Sequence, residues 1–258
     1  MRRSGLVTVV FAALVAAGCG ARERVTPEAM PVDAHDAPVT RVHAARCDTL
    51  AVERVAAHGL AVRVVRPTVA RVAPGGPMRA RFGLRNVNGV RTVFAVRSVR
   101  RNSVCEPAWY RVQLPVRPNG LEGWVPARDV RVFELRTAVT VDLSERTVRV
   151  VRDGRTVLVV RAAVGAPATP TPRGRFYVNQ RLWASDPTGP WGPGGVGISA
   201  FSPVLRDWAQ GGPIAIHGTN QPHLLGGAIS HGCVRVSNYA LLRLMRLAPE
   251  GTPVEIRA

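Results

Sequence analysis

Proline and glycine set the length scale of what this chain can build, because 21 prolines and 25 glycines fall through its 258 residues with no fixed period. Such punctuation places many turns between short segments, and the missing period excludes a collagen-like repeat. Hydrophobic residues make up 46% of the chain and charged residues 20%, a balance that excludes wholesale disorder and a polytopic membrane protein. The length suits one large or two small domains. The expected class is mainly β.

The formal charge is +18, and every one of the 35 basic residues is arginine. These arginines are scattered singly among Val and Ala instead of clustering with aromatics, which argues against a nucleic-acid partner. What the charge does supply is attraction to an anionic matrix, such as a cell wall or a membrane surface.

At the N-terminus Arg2 and Arg3 precede an apolar run from Leu6 to Ala17, too short to span a bilayer comfortably and in keeping with a signal peptide over residues 1–18. The run closes on Ala16-Ala17-Gly18-Cys19, which resembles a bacterial lipoprotein box and implies lipidation at Cys19, a membrane anchor and export. Ordinary cleavage at a nearby small residue and an uncleaved anchor are the alternatives. Export permits disulfides. With Cys19 lipidated, Cys47 and Cys105 are left as a natural pair in the N-terminal half, and Cys233 is the odd one out, either buried and inert or kept free for chemistry.

Residues 19–45 are rich in Pro, Ala, Asp and His without apolar periodicity and read as a flexible tether. Over 46–136, short Val-rich segments are separated by Pro74-Gly75-Gly76-Pro77, Asn86 to Gly89 and Pro118-Asn119-Gly120, as in a small β-barrel. Trp109 to Leu114 alternates like a strand. With Gly123-Trp124-Val125-Pro126 it resembles the closing hairpin of bacterial SH3-like domains; a plain β extension packed on the next domain is the alternative reading.

A second domain is expected over 137–258, opening with alternating Val139, Val141 and Leu143. Arg146 to Arg152 and Arg155 to Val160 are joined by Asp153-Gly154, a two-residue hairpin signal. The Gly, Pro and two Trp between Trp183 and Ser199 suggest a long ordered loop able to line a cleft. One helix is expected. Ser237 or Asn238 caps it, Leu241, Leu244, Met245 and Ala248 form its apolar face, and Pro249 with Gly251 ends it.

Three of the six histidines and Cys233 fall within seventeen residues, as His217-Gly218-Thr219-Asn220 followed by Ser230-His231-Gly232-Cys233-Val234-Arg235 after the apolar Ile214-Ala215-Ile216. A thiol needs a nearby base to act as a nucleophile at neutral pH, and a reacting acyl group needs backbone donors for its oxyanion. Gly232 lets the backbone approach a substrate. The helix after Cys233 could favour thiolate through its dipole, although Val234 to Val236 can intervene as a strand. A zinc site of Cys233, His231, His217 and His223 has poor spacing, since His-x-Cys matches none of the common patterns. No metal or other cofactor is expected.

The stretch from Ile216-His217-Gly218-Thr219 to Ser230-His231-Gly232-Cys233-Val234-Arg235-Val236-Ser237-Asn238 resembles the signature of the L,D-transpeptidase family of bacterial cell-wall enzymes. Thr169-Pro170-Thr171-Pro172, Gly174 and Phe176 match its upstream loop and strand, so the resemblance runs from about Val139 to Ile256. It implies a β-sandwich of mixed sheets with few helices. It further implies Cys233 as nucleophile and His217 as base, with the Gly218 carbonyl orienting the imidazole. The N–H groups of His231, Gly232 and Cys233 would meet the oxyanion, and Ser230 and Asn220 would lie toward substrate. Arg235 would either order the site or meet a stem-peptide carboxylate, and Asn238 would be a helix cap. The implied reaction takes a peptidoglycan tetrapeptide stem through a Cys thioester with release of D-alanine to a 3→3 cross-link, in a monomer at the membrane and cell wall. An L,D-carboxypeptidase would use the same residues, and a non-catalytic wall-binding protein is the rival outside enzymology.

Overall fold

The computed structural model describes residues 52–54, 59–207 and 209–258. The expected signal peptide, Cys19, the tether and Cys47 lie outside the described residues. The described chain is almost wholly β, in two sheet assemblies with one α-helix.

The first assembly holds β1 (Val52–Arg54), β2 (Leu60–Val64), β3 (Thr68–Arg71), β4 (Met78–Phe82), β5 (Val93–Arg101), β6 (Pro107–Gln113), β7 (Glu122–Pro126) and β8 (Val130–Glu134). Their order is β4-β3-β7-β6-β5-β2-β8, with β1 also on β5. Val62, Phe94, Val112, Leu114 and Val125 fill its core. β5 buries Val93, Phe94, Ala95 and Val96 in succession, because both faces are covered. Phe94 and Val96 turn to the assembly's own core, whereas Val93 joins Ala61 and Leu135 in a small separate cluster.

The second assembly holds β9 (Thr137–Asp142), β10 (Thr147–Arg152), β11 (Arg155–Arg161), β12 (Val164–Gly165), β13 (Gly174–Trp183), β14 (Gly194–Phe201), β15 (Pro213–His217), β16 (Ala228–Ser230), β17 (Val234–Arg235), β18 (Pro253–Arg257) and the helix α1 (Asn238–Leu247). Eight of its strands run in the order β11-β10-β9-β18-β13-β14-β15-β17, and β12 pairs with β16. The sheet is mixed: β18 lies parallel to β9 but antiparallel to β13, and β17 lies parallel to β15. Asp153 (φ 49) and Gly154 (φ 75) both take the left-handed conformation that a tight β10–β11 hairpin requires. α1 lays Ala240, Leu241, Leu244 and Met245 on the core formed by alternate residues of β9, β10 and β13 to β15. No helix among the described residues is long and apolar enough to cross a membrane.

The loop expected from Trp183 to Ser199 is shorter than its composition suggests, since β14 begins at Gly194. Two glycines of β14 answer close packing instead of a turn. A side chain on Gly197 would meet Gln180 Cγ at 2.6 Å, and one on Gly194 would meet the Leu182 carbonyl at 2.2 Å.

The two assemblies are joined by tight contact and by polar bonds. A Cβ on Gly251 would come within 2.5 Å of Ala61 Cβ. Gln113 Nε2 donates to the Arg175 carbonyl at 2.9 Å, Arg117 donates to the carbonyls of Ser202 and Gly211, and Asn119 exchanges two bonds with the backbone of Phe201.

Candidate active site

β15 is an apolar strand because Ile214 and Ile216 enter the core, and it delivers His217, 4% exposed, at its C-terminal end. β17 runs parallel beside it, pairing Ile216 with Val234 and His217 with Arg235, so Cys233 stands immediately before that pairing. A further bond from Val236 N–H to the His217 carbonyl, 2.9 Å, closes the two segments together. Segments sixteen residues apart in sequence thus lie on neighbouring strands because the intervening loop returns the chain to the same sheet edge.

His217 Nδ1 lies 2.7 Å from the Gly218 carbonyl. A carbonyl can only accept, so Nδ1 carries the proton and Nε2 is left with a free lone pair. The ring also stacks on Trp191, with centroids 4.3 Å apart and planes 27° from parallel. Burial lowers the imidazole pKa to about 4, with the Gly218 bond opposing and the Arg235 charge reinforcing. At neutral pH the ring is neutral.

Cys233 is a free thiol. Burial raises its pKa, against the smaller pull of a backbone hydrogen bond with Ala215 and of the Arg235 charge. The helix dipole gives no direct help, since α1 starts only at Asn238, after β17. The pair is therefore thiol and imidazole at rest, not thiolate and imidazolium.

The turn ahead of Cys233 is braced from within. Ser230 Oγ donates to the Cys233 carbonyl and accepts from Gly232 N–H at 3.1 Å. Thr171 Oγ1 donates to the Gly232 carbonyl at 2.8 Å and accepts from Gly165 N–H, while Thr169 Oγ1 donates to the Ser230 carbonyl. Gly232 has φ +112, a backbone state that a side chain would strain. Ser230 is 1% exposed, with its hydroxyl engaged inside the turn. The Gly232 N–H is held by that hydroxyl and is not offered to an oxyanion in this conformation.

Among the other expected site residues, Asn220 and His231 are exposed. Arg235 is partly buried; its backbone pairs both ways with Ala163, yet its Nε is buried without a partner. Cys105 is in a disulfide. Asn238 is not the cap. Ser237 caps α1 by accepting from Ala240 N–H, and Asn238, the first helical residue, accepts from Thr219 N–H at 2.8 Å. Its Oδ1 sits so near Gly218 and Gly192 that a Cβ at either would lie 2.4 or 2.1 Å away. Asn238 therefore ties the helix, the residue after His217 and the Trp191 loop together. The sequence pointed to a cleft-lining loop with tryptophans, but no spacing rule joins Trp191 to His217, twenty-six residues on.

A family model described as the L,D-transpeptidase catalytic domain matches residues 136–256. The YkuD protein of Bacillus licheniformis, a nominal L,D-transpeptidase, is 37% identical over 118 residues, and that of Bacillus subtilis 33%. Each match covers 46% of this chain and 64% of the relative, so the chain spans just under two thirds of the length of these curated relatives. Among solved structures, an Enterococcus faecium L,D-transpeptidase is 26% identical with a TM-score of 0.37, covering 47% of this chain and 50% of that one. An L,D-transpeptidase from Mycobacterium smegmatis is 16% identical with a TM-score of 0.43, covering 81% and 100%.

Proposed function

We propose, from the match of residues 136–256 to the L,D-transpeptidase catalytic-domain model, that this chain is an exported enzyme that remodels peptidoglycan by acyl transfer through Cys233. The observation that carries the reading is a buried, neutral His217 whose tautomer is set by the Gly218 carbonyl, on the strand beside the one that follows Cys233.

In this reading the thiol proton passes to His217 Nε2 as sulfur attacks the carbonyl at the end of a donor tetrapeptide's third residue. Because both groups start neutral, proton transfer accompanies attack. The tetrahedral centre collapses, the C–N bond breaks, and D-alanine leaves with the proton returned from the imidazolium. The side-chain amine of a second stem then attacks the thioester and loses a proton to His217; the C–S bond breaks and the thiol is restored, leaving a 3→3 cross-link. The oxyanion falls to N–H groups of the Ser230–Cys233 turn other than that of Gly232. Arg235, with an unpartnered Nε, supplies positive charge near the reacting groups. No cofactor enters these steps.

The first assembly is read as an SH3-like module, Cys19 as the lipid anchor and 19–45 as the tether that lets the enzyme reach the wall. In the same reading Cys47 is the partner of Cys105.

Incubating the protein with a disaccharide-tetrapeptide tests the central step. Release of D-alanine with a thioester mass on Cys233 is expected, and an added amine acceptor should divert product from tripeptide to 3→3 dimer. Cys233→Ser should keep the fold and lose acyl transfer by at least about 10³-fold. Tripeptide that ignores the acceptor would make the enzyme a carboxypeptidase, and near-normal turnover by the serine variant would remove Cys233 from the mechanism.

A further inference from the structure

The segment Thr169-Pro170-Thr171 meets the turn that precedes Cys233 at two carbonyls. Thr169 Oγ1 donates to the Ser230 carbonyl at 2.9 Å and Thr171 Oγ1 to the Gly232 carbonyl at 2.8 Å. The two carbonyls are not held alike. Ser230 also accepts from Ala166 N–H, whereas among the described residues Thr171 is the one donor to Gly232. Thr171 is buried, and its oxygen accepts from Gly165 N–H at 2.9 Å, a bond that turns the hydroxyl proton toward Gly232. Packing on both sides keeps the pieces in register. A Cβ on Gly165 would lie 2.4 Å from the Thr171 nitrogen, and one on Gly232 would lie 3.1 Å from Ile214 Cδ1 and 3.5 Å from the Pro170 carbonyl oxygen.

In a trans peptide the carbonyl and the N–H that follows it share one plane and point opposite ways. The Gly232–Cys233 bond is trans. By holding the Gly232 oxygen, Thr171 therefore sets the direction of the Cys233 N–H, which no acceptor among the described residues takes up. We propose that Thr171 is a positioning residue that aims the Cys233 N–H at the oxyanion formed when the thiol attacks an acyl group, a role that rests on the acyl transfer proposed above. Gly232 needs an outside hold, because a glycine at φ +112 has no side chain of its own to restrict it. The aim matters because a donor weakens steeply once its angle is lost. It matters more here, since Ser230 Oγ already occupies the Gly232 N–H. The hydroxyl also polarises the peptide it holds, which makes the Cys233 N–H a stronger donor.

The test compares two reactions of Cys233 in the full chain. With p-nitrophenyl acetate a C–S bond forms through an oxyanion, p-nitrophenolate leaves and the thiol proton is lost; with iodoacetamide the same thiol displaces iodide and no oxyanion forms. The chain has no lysine to compete for the acetyl group, and peptide mass mapping reads both adducts. Thr171→Val should slow acetylation about 10- to 100-fold and leave alkylation within about twofold, while Thr171→Ser, which keeps the hydroxyl, restores acetylation. Thr169→Val should leave both reactions near the wild-type rate, because Ala166 N–H still holds the Ser230 carbonyl. Should the valine variant at 171 lose its circular dichroism, Thr171→Ala removes the same hydroxyl and repeats the comparison. Acetylation that is unchanged without the hydroxyl, that falls together with alkylation, or that falls equally in Thr169→Val overturns the proposal. So does a Thr171→Ser chain as slow as Thr171→Val, or a wild-type thiol that iodoacetamide alkylates and the ester does not acylate. Failure of the peptidoglycan reading looks different: the wild type would take the acetyl group and show the Thr171 contrast, yet release no D-alanine from a tetrapeptide stem.

Discussion

Burial keeps His217 neutral to about pH 4, and burial likewise favours the protonated Cys233 thiol, so the two side chains proposed to react carry no charge at neutral pH. The acid limb of acylation should therefore lie nearer pH 4 than the ordinary imidazole value of about 6.5, as a pH profile of single-turnover acylation would read directly. The linkage sign follows from the lowered folded pKa. Between pH 6.5 and 4 the unfolded chain takes up a proton that the folded ring refuses, so stability is full above 6.5 and lost as pH falls toward 4, by up to about 3 kcal/mol. Denaturant midpoints compared between the wild type and His217→Gln across that window should show a larger loss in the wild type, since the lowered carboxyls of Asp142, Asp186 and Glu250 lose stability in both. The stack of Trp191 on His217 predicts that Trp191 acts through the imidazole as a positioning residue. Trp191→Ala should admit water to the ring, move the acid limb up toward 6.5 and slow acylation about 10- to 100-fold, while Trp191→Phe keeps most of the rate; an unmoved limb in the alanine variant would deny the stack this role.

Among the elements, α1 joins two duties that neighbouring residues divide. Ser237 caps the helix by accepting from Ala240 N–H, whereas Asn238 spends its side chain on Thr219 N–H, two residues from His217. Ser237→Ala should cost about 1 kcal/mol in chemical denaturation with little change in turnover. Asn238→Ala leaves a Thr219 N–H without its partner, costs about 1–3 kcal/mol, and should lower activity as well, because Gly218 loses the neighbour that seats it. Equal activity losses in the two variants would mean that the helix start, not the Asn238 bond, supports the site. The β10–β11 hairpin and the apolar face of α1 were legible beforehand, since turn chemistry and helical period are local. The extent of β14 was not, because its glycines serve contacts with Gln180 and Leu182 that lie remote along the chain.

For the whole molecule, charge and sheet order matter most. With +18 spread over scattered arginines, binding to isolated anionic wall should weaken steeply with salt, by about tenfold or more between 50 and 300 mM, as screening shortens the reach of the field; cosedimentation measures it, and salt-independent retention would point to specific contacts alone. The fold also couples its halves. β18, the last strand, inserts between β9 and β13, and its neighbourhood at Gly251 and Pro253 meets Ala61 and Gly59 of the first assembly.

By itself the sequence determined the β class, the hairpin at Asp153-Gly154, the amphipathic helix and a histidine and cysteine motif spaced by sixteen residues, because each is written in local spacing or in a motif. It also carried an expectation that Ser230 and the Gly232 N–H face substrate, whereas in the structure these two groups bond to each other. Only the tertiary structure decided the protonation state of the pair, the stack of Trp191 on His217, the seat that Asn238 makes for two glycines and the bond of Thr171 to the Gly232 carbonyl. The reason is physical: desolvation and close packing are properties of the surroundings, and here those surroundings come from strands and loops far apart in the chain.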